Sequence, residues 1–187
     1  MKFTAFEKKG IDNTDESLKL AKINADSLGI KEIVIASTRG FTAKKAAEIF
    51  TPPDYNLVIV THSYGFRQDK PQEFDPELRK DLESKGVKIF SGTLAFSGVG
   101  SALLKTHQHW DFPTLYARAI RTLFCDGVKV CQEIVLMAAD AGLIKIGNDV
   151  ISVGGTGIGA DTVCLIKAAS SRKFLDSRVK AILAKPL

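Results

Sequence analysis

Hydrophobic positions along the chain follow two periods, one typical of helices and one typical of buried strands. Apolar residues recur at helical spacing over residues 18–28, a segment that Asn13 and Glu16 would begin as a capping box and that Gly29 would end. The next apolar run, residues 32–37, is short and β-branched, which predicts a buried strand.

The same alternation continues along the chain. Further helices are predicted over residues 42–50, 76–86, 95–105, 113–125 and 128–141, and further strands over residues 56–62, 87–91, 150–153 and, as the final strand, 162–169. Short strands separated by helices predict an α/β fold of three αβα layers, with a mainly parallel, mixed sheet. The closely spaced last two strands would form an antiparallel pair at its edge. The helix over residues 128–141 is apolar on more than one side, so we expect it to be buried.

Length and composition narrow the class of protein. The chain has 187 residues, 45% of them hydrophobic and 25% charged, which predicts one globular domain over residues 1–187. No apolar run approaches the length of a membrane span, and the first residues lack the apolar stretch of a signal peptide, so we expect a cytoplasmic protein. Its three cysteines form no C-x-x-C pair, which indicates neither disulfides nor a zinc site and favours buried thiols over a catalytic one.

The formal net charge of +5 is spread along the chain. Nucleic-acid-binding proteins usually concentrate basic residues on one face, so we expect no nucleic-acid partner. A modest positive field would still attract an anionic small molecule.

Polar and glycine-rich segments follow four of the predicted strands. These segments are Ser37–Thr42, Thr61–Gly65, Ser91–Thr93 and Gly154–Asp161. Ligands of open α/β sheets bind beyond the carboxyl ends of the strands, so this edge is the predicted binding site.

The first segment has the chemistry of a phosphate-binding loop. The hydroxyl groups of Ser37, Thr38 and Thr42 can donate to phosphate oxygens, and Arg39 offers a charge-assisted pair. Gly40 allows close approach of the backbone, and the following helix directs its free N–H groups to the same place. The alternative is an ordinary strand-to-helix turn with Thr42 as the N-cap.

The glycine-rich segment contains G-x-G-x-x-A from Gly155 to Ala160. A strand-like run follows it instead of a helix, so it is not a dinucleotide fingerprint. It would either wrap a phosphate or a ring with its amides or serve as a plain hairpin loop. His62, Tyr64 and Phe66 would line a pocket for a planar ring, although each alone is more often a packing or surface residue.

Other polar residues do not form a recognisable catalytic site. His107 and His109 are two residues apart and would diverge on a helix, so no metal site is expected. Glu133 and Asp140 lie on the helix predicted to be buried, where we expect them to cap or bridge to a loop. No Ser-His-Asp signature is present.

Several motifs resemble a known family. They include I-V-I-A-S-T-R-G-F-T-A-K-K-A-A from Ile33, V-T-H-S-Y-G-F from Val60, F-S-G-V-G from Phe96, K-V-C-Q-E-I-V-L-M-A-A-D-A-G-L-I from Lys129 and G-G-T-G-I-G-A-D-T from Gly154. They are similar to the stand-alone prokaryotic family that resembles the pyruvate kinase C-terminal domain. The order Thr38-Arg39-Gly40 differs from the kinase loop, where the arginine follows the glycine.

The resemblance implies a ligand of the flavin mononucleotide (FMN) type and no pyruvate kinase activity, because the catalytic barrel is not part of this sequence. It implies a phosphate end at Ser37, Thr38, Gly40 and Thr42 and a ring or ribityl end at His62, Tyr64 and Gly65. Gly92 and Thr93 would close one side, and Gly155, Thr156, Gly157 and Gly159 would wrap the other.

Two functions are consistent with the residues and with this resemblance. One is an FMN- or phosphometabolite-binding protein whose reaction is not identified. The other is a non-catalytic sensor that binds a sugar phosphate or a nucleotide. Helices with apolar backs also lead us to expect a homo-oligomer.

Overall fold

The computed structural model describes residues 3–187 of the chain. The strands of these residues form one sheet: β1 (Thr4–Phe6), β2 (Glu32–Ala36), β3 (Asn56–Thr61), β4 (Lys88–Ser91), β5 (Asp149–Gly154), β6 (Thr162–Lys167) and β7 (Arg178–Pro186). The α-helices are α1 (Thr14–Leu28), α2 (Phe41–Ile49), α3 (Pro76–Ser84), α4 (Gly98–His107), α5 (Phe112–Leu123) and α6 (Asp126–Asp140). Short 3₁₀ turns cover Ile11–Asn13 and Ser171–Asp176.

The strand order of the sheet is β1-β7-β6-β5-β2-β3-β4. Strand β2 pairs in parallel with β3 on one side and with β5 on the other, and β4 continues in parallel beyond β3. Strand β6 runs antiparallel to both β5 and β7. The carboxyl ends of β2, β3, β4 and β5 therefore share one edge of the sheet.

Helices cover both faces of the sheet, because successive strand residues point to opposite sides. Ile33 and Ile35 of β2 pack in a core with Leu18 of α1 and Ala43 of α2. Val34, between them in sequence, packs in the other core with residues of α6. The predicted three-layer α/β fold is confirmed.

Local signals explain several of the helix ends. Asp75 accepts a hydrogen bond from the Leu78 N–H at 2.7 Å, as its position before Pro76 predicts. Gly29 ends α1 in the left-handed conformation, with φ of 66°. The predicted capping box is wrong: the Asn13 side chain donates to the Lys8 carbonyl at 2.7 Å and makes no capping bond.

The sheet extends beyond the strand expected to be the last. The antiparallel pairing of β5 with β6 is confirmed, but this pair lies inside the sheet because β7 and β1 continue it. Both β1 and β7 are absent from the sequence-based prediction. The first three residues of β7 are exposed, so the strand lacks the apolar signal of a buried one.

Helix α6 is the buried helix that its apolar residues predict, with twelve of its residues buried. Two of them, Lys129 and Glu133, form an ion pair. Burial lowers the pKa of Lys129, and the charge of Glu133 acts against this shift. Glu133 Oε1 also accepts from the Phe96 N–H at 2.9 Å. This bond holds the loop after β4. Helix α4 follows the loop and starts at Gly98, three residues later than predicted.

The cysteines are free, with Cys131 and Cys164 buried and Cys125 half-buried. A hydrogen bond with Cys131, together with burial, raises the pKa of the Cys164 thiol well above its usual range. Such a thiol is a poor nucleophile, in line with the structural role expected of it.

Every helix within residues 3–187 is too short or too polar to cross a bilayer. The single-domain organisation and the cytoplasmic location stay predictions.

Removal of the Glu133 carboxylate should destabilise the fold more than removal of an exposed partner. We expect Glu133→Ala to lower the free energy of unfolding by about 3–5 kcal/mol, because it leaves a buried ammonium unpaired. The control Glu83→Ala breaks the Arg79–Glu83 pair, whose carboxylate is 45% exposed, and should cost less than about 1 kcal/mol. Urea denaturation measures both. Equal losses in the two variants would contradict the assigned role of the buried pair.

Candidate functional site at the carboxyl edge of the sheet

The loop after β2 lies at the centre of the shared edge. Its neighbours are the loop after β3 on one side and the loop after β5 on the other, because β2 lies between these two strands. The strand order changes direction between β2 and β5. Such a switch point is where open α/β sheets bind ligands.

The β2 loop forms a compact entry to α2. Ser37 Oγ accepts from the Ala43 N–H at 3.1 Å, and Gly40 is the N-cap, so Thr42 is not the cap that the alternative interpretation required. Thr42 is buried. The Thr38 carbonyl accepts from Thr61 Oγ1 at 2.9 Å, which ties this loop to the end of β3.

Gly40 is required by both conformation and space. Its φ of 103° lies in the region that favours glycine, and an added Cβ would lie 2.4 Å from Leu78 Cδ2. The start of α2 therefore packs directly against α3.

The loop after β3 is organised around Glu73, which the sequence analysis did not single out. The Glu73 side chain is 4% exposed, and its Oε2 lies 2.8 Å from Nδ1 of His62. Its Oε1 lies 3.6 Å from Nε of Arg39 and 3.2 Å from Nε of Arg67. A buried carboxylate needs such partners, so Glu73 brings a histidine and two arginines to the edge.

Gln72 fixes the same loop to two strand ends. Its Nε2 donates to the His62 carbonyl at 3.1 Å and to Ser91 Oγ at 3.3 Å. The rings of His62 and Phe66 are in contact, with centroids 3.9 Å apart and planes tilted by 33°. Tyr64 and Gly65, in contrast, lie on the exposed part of the loop.

Gly92 and Thr93 follow β4, at the far side of the edge. A Cβ on Gly92 would lie 2.5 Å from the Phe90 ring, so this glycine allows the chain to pass close to the aromatic side chain. Thr93 is exposed.

The glycine-rich segment connects antiparallel β5 and β6, so it is a hairpin loop in its geometry. Asp161 is fully buried, and its Oδ2 accepts from the Gly10 N–H at 2.9 Å and the Thr156 N–H at 3.2 Å. The Ala160 N–H donates to Thr14 Oγ1 at 3.0 Å. These bonds hold Gly155, Thr156, Gly157 and Gly159 against the start of α1.

The remaining polar residues lie away from these contacts. Asp140 accepts from the Ser171 N–H at 2.8 Å, so Asp140 and Glu133 both bridge to loops, as expected. His107 ends α4, and His109 follows it. Within residues 3–187, no group of three or more His, Cys, Asp or Glu side chains is arranged to hold a metal ion.

Two pockets in the described part of the chain lie mostly or wholly away from the four edge loops. An apolar pocket of about 160 Å³ lies between α5, α6 and the 3₁₀ turn Ser171–Asp176, and includes Phe96 of the β4 loop. A second pocket, of about 250 Å³, lies at the opposite edge near Lys167 and Arg178.

Comparison with known proteins identifies the family. The family described as "Pyruvate kinase, alpha/beta domain" matches residues 16–166, and the chain therefore belongs to it. Among solved structures, the chain is similar to Cryptosporidium parvum pyruvate kinase, with 15% sequence identity and a TM-score of 0.41. The match covers 87% of this chain and 24% of the kinase, so the chain spans about a quarter of that protein.

Alanine at Gly40 should be more harmful than alanine at Gly157. Both glycines have positive φ, but an added Cβ at Gly157 has no atom within 4 Å. We expect Gly157→Ala to cost about 1–2 kcal/mol from backbone conformation alone. Gly40→Ala also displaces the Cδ2 methyl of Leu78, the flexible end of a side chain, and this adds about 0.5–1.5 kcal/mol. Thermal and urea denaturation measure the difference, and equal costs would contradict the packing of α2 against α3.

Proposed function

We propose that the chain binds a phosphorylated small molecule, FMN, at the carboxyl edge formed by β2, β3, β4 and β5. The observation that carries the proposal is the convergence of the β2 loop, the Glu73 cluster and the glycine hairpin on neighbouring strand ends. No reaction is assigned.

The β2 loop and the two arginines beside Glu73, Arg39 and Arg67, support the phosphate end. The first N–H groups of α2 lie in the same short segment as the hydroxyl groups of Ser37, Thr38 and Thr42. Arg39 and Arg67 are 55% and 53% exposed, so each keeps donors for an anion while it neighbours Glu73. Two guanidinium groups around one carboxylate leave a surplus positive charge, which favours a dianionic phosphate.

Aromatic and glycine residues on either side support the ring end. The adjacent rings of His62 and Phe66, tilted by 33° to each other, offer an aromatic surface, and Tyr64 is 70% exposed beside them in sequence. Three of the five residues from Gly155 to Gly159 are glycines, and this hairpin follows β5, on the other side of β2 from the β3 loop. A flavin ring and its ribityl chain would be placed between these two loops.

The binding experiment compares FMN with riboflavin, which lacks the phosphate. Loss of one hydrogen bond to a charged phosphate costs about 1.5–3 kcal/mol, so Thr38→Val and Thr42→Val should each weaken FMN binding about 10- to 150-fold. The variants should leave riboflavin binding nearly unchanged. Flavin absorbance and fluorescence titration measure both ligands.

The matched control is Thr122→Val, at an exposed position on α5 away from the edge. It should bind FMN as the unaltered chain does. The proposal is contradicted if FMN does not bind, or if it binds no more tightly than riboflavin.

The alternative is a non-catalytic sensor of a sugar phosphate or a nucleotide, which would use the same phosphate end. An exposed apolar stripe on α5, formed by Phe112, Leu115, Ala119 and Leu123, favours it, because an interface between copies of the chain would let ligand binding at one site affect another. A thermal-shift screen of these ligands distinguishes it from a flavoprotein.

We propose that a second copy of the chain packs against this stripe. Phe112, Leu115, Ala119 and Leu123 recur at helical spacing on α5 and are all exposed. Phe112 and Leu123 are 78% and 74% exposed, and apolar patches of this kind mark protein interfaces. Nucleic acid is not a proposed partner, and a cytoplasmic location is retained as part of the proposal.

Polar residues on the stripe should dissociate the oligomer. We expect the unaltered chain to sediment as a dimer or larger species and Phe112→Ser with Leu123→Ser to sediment as a monomer. Leu175→Ser, at a site off the stripe that is 79% exposed, is the control and should change nothing. A monomeric unaltered chain at micromolar concentration would contradict the proposed interface.

A further inference from the structure

We propose that His62 and Glu73 form a proton-transfer dyad at the carboxyl edge. In this dyad His62 exchanges a proton with an N–H or O–H group of the bound molecule, and Glu73 is the residue that positions it. The inference rests on the proposed function in one respect, since it requires the ligand to lie at this edge.

The hydrogen bond between His62 and Glu73 fixes which ring nitrogen carries the hydrogen. His62 is the first residue after β3, and its Nδ1 lies 2.8 Å from Oε2 of Glu73, which is almost fully buried. An ionised carboxylate only accepts hydrogen bonds, so Nδ1 of the neutral imidazole must carry the hydrogen. Its other nitrogen, Nε2, then has a free lone pair and is a base.

Nε2 of His62 remains available to a ligand. Among residues 3–187, no side chain or backbone group makes a hydrogen bond with Nε2 of His62. The side chain is 31% exposed, while its ring is bonded to Glu73 on one side and contacts the tilted ring of Phe66, with centroids 3.9 Å apart. The imidazole is therefore fixed in orientation and still open to a small molecule.

The charge of the residues around Glu73 also fits an anionic ligand. Arg39, Arg67 and Glu73 together carry a net charge of +1 while His62 is neutral. A proton that leaves the bound molecule adds to Nε2 and raises the cluster to +2, with Nδ1–H still bonded to Glu73. An anionic ligand at the same edge offsets this charge, so the chemistry that fits is proton transfer on a phosphorylated molecule.

Glu73 would need a partner even in a purely structural role, so the test must detect more than stability. Nitrogen-15 NMR spectra of the imidazoles report directly which nitrogen carries the hydrogen. The chain has three histidines, so His107 and His109 serve as internal controls and His62→Gln assigns the remaining signals. Spectra are recorded at about pH 8, where ordinary imidazoles with pKa values near 6.5 are neutral.

We expect His62 of the ligand-free chain to be in the Nδ1–H form. Glu73→Gln should reduce the population of this form, because an amide offers a donor as well as an acceptor. The control Glu83→Gln, on the exposed pair with Arg79, should leave it unchanged. An Nε2–H form in the unaltered chain would overturn the dyad, whether or not FMN binds.

The second stage adds FMN, with its binding followed separately by absorbance. A shift of the His62 Nε2 signal that exceeds those of His107 and His109 supports contact with the ligand. If FMN binds and Nε2 does not shift, the proton-transfer role is wrong. If FMN does not bind, the proposed ligand fails, and inorganic phosphate becomes the probe: a selective Nε2 shift supports the dyad, and no shift overturns it.

Discussion

The parallel pairing of β2 with both β3 and β5 is the constraint on which the candidate site depends. Ile35 is opposite Ile59 on one side and Val153 on the other, so the three strands end at nearly the same level. Each strand must then release its chain into a loop at one edge, beside the loops of its neighbours. This register, set by backbone hydrogen bonds, brings together segments that are more than a hundred residues apart in sequence.

Three buried carboxylates hold the loops that leave this edge. Glu73 bonds to His62 in the β3 loop, Glu133 binds the Phe96 N–H in the β4 loop, and Asp161 binds Gly10 and Thr156 at the glycine hairpin. A carboxylate in a buried position must be compensated, and here the compensation comes from loop groups. These carboxylates, together with neutral side chains such as Gln72 and Thr61, therefore hold the edge loops through polar contacts, above a sheet held by apolar packing.

The hydrophobic pattern predicts the parts of the fold that bury their surface on two sides. Strands β2, β3 and β5 and helix α6 are of this kind, and only their ends differ from the prediction. Strand β7 is missed because its exposed first third carries charged residues, and β1 is missed because three residues carry no period. The edge loops are predicted from their glycine and hydroxyl residues, whereas the Glu73 cluster is not. His62, Arg67 and Glu73 lie in one loop, but nothing in their spacing indicates that the loop folds back on Glu73, and Arg39 joins them only in the fold. The unusual length of the β3 loop is the signal that points to it.

The central claim is that the carboxyl edge, and no other surface, holds the ligand. The most direct measurement is a map of backbone amide shifts in two-dimensional ¹⁵N NMR spectra during titration with FMN. The account predicts that shifts concentrate at residues 37–42, 62–65 and 155–159, the segments that follow β2, β3 and β5. Shifts centred on the apolar pocket around Tyr116 and Phe174, or on the opposite edge near Lys167, would contradict it.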